Sequence, residues 1–286
     1  MTRSQKRKVF NFFMKLVGLL SLALALIVLL SLILDLAIRG GGRIDMDFFT
    51  SFPSRRAGQA GILSAWVGTL LVMLITAFLT ILVGVSAALY LEEYSKQNHP
   101  MTKLIELNIL NLSAMPSILY GLLALGIFVH YFKLGASLLT AGLTLSLLVL
   151  PIVIVSTREA LRSLPSNLKE ASFALGATRF QTLYYYQLPS AMGGIMTGVI
   201  LALSRAIGET APLITIGALT YIAFLPQSIM DPFTVLPIQL FNWLSRPQAE
   251  FHVNAAAAGL VLLTLTLALN LIAILIRIRV RKSIKW

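Results

Sequence analysis

Long apolar runs separated by short polar breaks dominate the chain. A helix needs about 20 mostly apolar residues to cross a hydrocarbon core of ~30 Å. Six stretches meet that requirement: 16–38, 66–91, 107–129, 134–156, 190–211 and 255–276. The pattern predicts an all-α polytopic membrane protein with six transmembrane helices and no second soluble domain. Pro116, in Ser113-Ala114-Met115-Pro116-Ser117, predicts a kink in the third span. A further stretch, 213–225, follows Pro212. Joined to the fifth span it would give a helix of about 36 residues and ~54 Å, too long for the bilayer. Gly208 and Pro212 are therefore expected to break or kink that helix, leaving a short outer helix or a re-entrant piece.

Lys and Arg orient the spans. With the N-terminus inside, 16 of the 23 fall on the inner segments, six on the outer loops, and Arg205 within a span. Positive charge concentrates on the cytoplasmic side, so N-in, C-in topology is expected, with 1–15 a basic cytoplasmic N-terminus and 16–286 the membrane domain. The run 16–34, longer than a signal-peptide core, reads as an uncleaved span. The outer loop 39–65 is moderately basic for its side. Composition agrees with a lipid solvent: 57% hydrophobic, 12% charged, mean hydropathy +0.85. The net charge of +12 reads as basic loops facing the cytoplasm and not as a nucleic-acid surface. Cysteine is absent and the three histidines, His99, His130 and His252, show no metal-ligand spacing.

The inner loop 157–189 is too polar to span a bilayer and reads as two short helices. Pro165 suits a first helical turn. Leu168, Ala171, Ser172 and Leu175 fall on one stripe. Gly176 sits where a left-handed residue would end the first helix, and Thr178-Arg179-Phe180-Gln181 has capping-box spacing for the second. The result is an apolar knuckle with a charged rim. A small residue at Ala171 admits a partner closely, Gly176 permits the corner, and Glu170 can cap or brace it. A plain amphipathic loop on the membrane interface is the alternative.

Arg205 and Glu209 lie within an apolar run at i, i+4, so a continuous helix would place them on one face. A charge at the bilayer centre costs roughly 2.5–3.5 kcal/mol on insertion scales, so the pair should face protein or a wet pathway. Gly194, Gly198, Ala202 and Ala206 form a ridge of small residues beside it, suited to tight helix contact. A structural salt bridge pinning two helices is the competing reading.

Glu170-Ala171, Gly176 and Leu188-Pro189 together resemble the EAA loop of ABC-importer permeases, with Ser172 and Tyr186 departing from the usual residues. From about 110 to 279 the chain resembles the A-type permease of bacterial high-affinity phosphate ABC importers. The motifs are Met115-Pro116-Ser117-Ile118-Leu119-Tyr120-Gly121, the Glu170 to Pro189 loop, Arg205-Ala206-Ile207-Gly208-Glu209-Thr210-Ala211-Pro212, and Asp231-Pro232-Phe233-Thr234-Val235-Leu236-Pro237-Ile238-Gln239. The resemblance implies the type I ABC-importer permease architecture in the bacterial plasma (inner) membrane. It implies a C-type sister permease, two copies of an ATPase and an external phosphate-binding protein, with 220–254 as a landing surface for the last. The intramembrane charges put Arg205 and Glu209, with Thr210, on the substrate pathway; the EAA-loop resemblance puts Glu170, Ala171, Gly176, Leu188 and Pro189 in ATPase coupling. The chain has no G-x-x-x-x-G-K-[ST] loop, so no cofactor is expected on it, and ATP and Mg are expected on the ATPase. A sulfate or molybdate permease is the alternative within ABC importers. A secondary carrier would need an ion-coupling site and internal repeats, and an intramembrane enzyme a nucleophile or metal constellation; the sequence carries neither pattern.

Overall fold

The computed structural model describes residues 3–96, 99–219 and 221–283. Thr220, the first residue of the outer segment 220–254, and Lys285, one of the inner basic residues, lie outside these residues, as does the side chain of Leu168. The described chain is helical, with a single isolated β-bridge, Ser137 to Pro232. Five helical segments are each long and apolar enough to cross a membrane, and a sixth crossing exists if one bent pair counts as a span.

Helix α1 (Arg3–Gly40) opens basic and turns apolar from Leu16 to Leu34, where nearly all its side chains are exposed; its main packing partner is α12 (Ala249–Ser283). That exposure is expected of a lipid-facing helix. Between them in sequence, α2 (Met46–Thr50) starts on Asp45, whose carboxylate accepts from the Phe48 N–H at 2.7 Å. Phe48, Ala57, Ala60 and Ile62 then pack with Trp243 of α11 (Leu236–Leu244) and with Phe251 and Ala255 of α12, forming a lid. By the charge asymmetry this lid lies on the outer side.

The core is three helices. α6 (Leu138–Arg162) is the most buried and packs between α3 (Leu63–Leu89) and α9 (Leu188–Ala206). The small-residue ridge lies on the α6 side, as its spacing suggests. A Cβ on Gly194 would meet Ala160, and one on Gly198 would collide with Ser156. Thr76 and Thr144 are buried because their hydroxyls donate to carbonyls four residues back, at 2.8 and 2.6 Å, which satisfies them without water.

Two expected spans differ from the observed ones. The stretch 107–129 is not one kinked helix but two limbs, α4 (Pro100–Ala114) and α5 (Ser117–Ala124). α5 continues as a π-helical turn to Tyr131, and the limbs are bent 108° at Met115-Pro116. Pro116 supplies the break, having no N–H and driving its predecessor out of the helical region. The fifth span starts earlier and stops sooner than 190–211. α8 (Arg179–Thr182) runs through a π-helical turn, Leu183–Gln187, into α9, which ends at Ala206. A five-residue helix, α10 (Ala211–Thr215), follows, and most of 213–225 is irregular.

Candidate functional site

Two places concentrate the polar chemistry. The first is the hairpin that follows α6. α7 (Ser166–Ala174) has Pro165 at its N-cap position, one residue before the expected first turn and without a side-chain cap hydrogen bond. It closes in a Schellman arrangement: Gly176, at φ +82°, donates to the Phe173 carbonyl at 2.9 Å, and Ala177 donates to Ser172 at 3.1 Å. Thr178 and Gln181 complete the capping box of α8. The hydroxyls of Ser172 and Thr182 lie 2.9 Å apart, tying the two helices together. Glu170 does not brace the corner as expected; it is exposed and forms no hydrogen bond or ion pair among the described residues. Ala171 and Gly176 are exposed, and Leu175, Phe180 and Tyr185 are 89%, 63% and 72% exposed. Leu188 and Pro189 are half-buried at the start of α9.

A network of acids fixes the base of the hairpin. A π-helical turn, Tyr90–Tyr94, ends the α3 helix and carries Glu92 and Glu93. Glu93, 7% exposed, accepts from Lys169 Nζ at 2.6 Å and from Gln187 Nε2 at 2.8 Å. Glu92, 10% exposed, accepts from Arg158 Nε at 3.3 Å and Arg162 Nε at 3.0 Å. Arg158 also reaches Glu106 of α4. Thus the turn after α3 meets α4, α6 and α7 in these ion pairs, with Gln187 of the turn before α9 hydrogen-bonded to Glu93; the burial of Glu92, Glu93 and Arg158 weakens solvent screening there.

The second place is the break after α9. Arg205 is in the last turn of α9, but Glu209 is not on that helix. The chain turns at Ile207-Gly208, and the Glu209 N–H donates to the Ala206 carbonyl at 3.2 Å. The turn still brings the pair together: Arg205 Nε lies 3.5 Å from Glu209 Oε1, with side chains 44% and 18% exposed. Shared helical face was the wrong reason for their proximity. The Thr210 hydroxyl, next in sequence, donates to the Gly208 carbonyl at 3.4 Å. No other partner of the Arg205 guanidinium occurs among the described residues, so both Nη groups stay available. α5 crosses the break: Gly121 packs on Pro212 and Thr215 of α10. Two interrupted helices therefore meet around one half-exposed ion pair. Backbone irregularity at membrane depth is tolerated where protein or a wet cavity covers it.

The model of the family described as binding-protein-dependent transport system inner membrane components matches residues 80–285. The chain belongs to that family. It is 32% identical over 260 residues to the probable ABC transporter permease protein YqgI of Bacillus subtilis, covering 85% of this chain and 88% of that protein. It is 32% identical over 222 residues to the phosphate transport system permease protein PstA of Xylella fastidiosa, covering 76% and 75%. Among solved structures, a chain of the MetNI methionine ABC transporter in an inward-facing conformation superposes with a TM-score of 0.60 at 18% identity. That superposition covers 77% of this chain and 94% of that one, which shows the fold. The chain is thus a multi-pass ABC-importer permease with the type I importer fold.

Both places fall within the segment that defines the permease family. Sequence reasoning named Arg205, Glu209, Thr210 and the hairpin residues but missed Glu92, Glu93, Glu106 and Gln187. Adjacent acids at the inner end of a span, facing a basic loop, were the available signal. The π-helical turns that aim them have no sequence signature of their own.

Proposed function

We propose that this permease is one membrane half of an ATP-driven phosphate importer. Its likeness to phosphate permeases over most of its length supports the substrate. The Arg205–Glu209 pair carries the mechanism: it sits at a helix break, half exposed, with both guanidinium Nη groups unengaged. Guanidinium geometry suits two phosphate oxygens at once. Thr210 adds a hydroxyl donor at the same turn. Glu209 keeps the cation from trapping the anion and accepts from the proton that phosphate retains near neutral pH. Sulfate has no such proton, so a carboxylate there repels it without compensation.

In this reading a C-type sister permease covers the exposed side of Arg205 and completes the pathway. Two copies of an ATPase, holding ATP and Mg, drive it, and this chain binds no cofactor. The hairpin of Glu170, Ala171 and Gly176, carried on Leu188 and Pro189, docks into the ATPase. The outer segment 220–254 contributes to the landing surface of the phosphate-binding protein.

The test is uptake by the reconstituted complex supplied with its binding protein. Arg205→Ala should reduce uptake at least about a hundredfold, of the order of 3 kcal/mol in transition-state terms, while the sister and ATPase still co-purify. Arg205→Lys should be impaired, since it keeps charge but loses the planar fork. Wild-type uptake by both Arg205→Ala and Glu209→Gln would reduce the pair to a structural bridge.

A further inference from the structure

The outer loops carry more positive charge than the orientation rule favours, and, Lys133 apart, the structure separates these charges into two groups. Arg39 is held by Asp35 at 2.8 Å. Arg43 is held by Asp45 at 3.1 Å and by the Gly58 and Ala60 carbonyls at 3.0 and 3.2 Å, so it fastens the lid. Arg55, Arg56 and Arg246 have no carboxylate partner among the described residues. All three line one open cleft of about 630 Å³, together with Ser54, Gln59 and Tyr221; no acidic residue lines it.

The floor beneath these charges is packed into the lid core. Arg246 stacks on the Phe251 ring with its guanidinium carbon 4.3 Å from the centroid. Phe251 belongs to the lid core with Trp243 and Phe48. Asn254 donates to the Ala57 carbonyl at 2.8 Å, holding the segment after Arg56. Three like charges thus line one hollow, where a negative counterpart would be favoured. Arg55 and Arg56 are exposed and Tyr221 is half exposed. Such a cleft is too open to desolvate a small anion but suits the projecting edge of a macromolecule.

We propose that this cleft receives a carboxylate-bearing rim of the external binding protein, with Arg55, Arg56 and Arg246 as its contact residues. The proposal rests on membership of a binding-protein-dependent family and not on which oxyanion is carried. It extends the landing surface from 220–254 to the first outer loop, which lies before the family-matched segment.

The experiment uses the complete complex in phosphatidylcholine discs and measures association of the binding protein that stimulates its ATP hydrolysis. Arg55→Glu/Arg56→Glu and Arg246→Glu should each lower the association rate about tenfold at low salt. The difference should shrink as ionic strength rises. A compensating acid-to-arginine change on the partner's rim should restore the rate. Arg55→Gln/Arg56→Gln, which only removes charge, should fall between, and co-purification of the sister and ATPase checks that each variant folds. Unchanged association at low salt in both reversal variants overturns the proposal. So does a loss seen only when phosphatidylglycerol is present, which makes the cleft a lipid site. A shift confined to the inorganic phosphate requirement, with association intact, makes it a free-anion site and also overturns it. Arg205→Ala should associate like the unmodified complex, so failure at the pathway and failure at the cleft are read separately.

Discussion

Gly176 holds φ at +82°, and a Cβ placed there would meet nothing within 4 Å. The requirement for glycine is therefore one of backbone conformation and not of space. A left-handed residue other than glycine costs roughly 1–2 kcal/mol, less for Asn and more for a β-branched side chain. Gly176→Val should lower uptake and weaken ATPase co-purification without affecting membrane insertion; Gly176→Asn should be close to normal. Equal damage from both substitutions would mean that the exposed surface at 176, not the corner, matters. This corner was legible in sequence because capping and the left-handed residue are local chemistry. Reach alone does not decide the role of Glu170: the structure gives the bracing to Ser172, which reaches Thr182 across the hairpin.

At the scale of elements, the apolar runs were readable because the bilayer sets their length, but the helix breaks were only partly so. Pro116 announces a break and cannot announce its angle. The 108° bend is fixed by contacts remote in sequence: α5 packs on α10, and the Tyr120 hydroxyl donates to the Leu112 carbonyl at 2.6 Å across the two limbs. The acid network was hidden for the same reason, since partners such as Glu93 and Lys169 meet only after the hairpin that follows α6 packs on the end of α3. Its energetic weight is testable. In a double-mutant cycle of Glu93→Gln and Lys169→Met, thermal or denaturant unfolding should give a coupling of about 1 kcal/mol, moderated by solvent screening at Lys169. Glu93→Gln should also weaken stimulation of ATP hydrolysis, because the hairpin loses its anchor to α3. No coupling and normal stimulation would show that the hairpin is held by its own capping alone.

For the whole molecule, the exposed apolar surface is of two kinds. The sides of α1 and α12 are long and uninterrupted, as lipid-facing surfaces are. The hairpin surface is different: Leu175, Phe180 and Tyr185 are exposed beside the polar residues Glu170 and Arg179, beyond the inner end of the α6 span. An apolar patch with a polar rim outside the hydrocarbon marks a protein contact. The absence of native cysteine makes this testable one residue at a time. With N-in topology, a cysteine at Ser166 should resist an impermeant maleimide added to intact cells and react once the inner side is opened. A cysteine at Leu175 should react from the same side in the isolated permease and be shielded several-fold when the ATPase is bound, whereas one at Ile229 should label from outside and ignore the ATPase. Labelling at Ser166 from outside would invert the topology. Equal labelling of Leu175 with and without the ATPase, in a complex shown to be assembled, would leave the hairpin lying on the membrane interface and remove the structural basis for coupling through it.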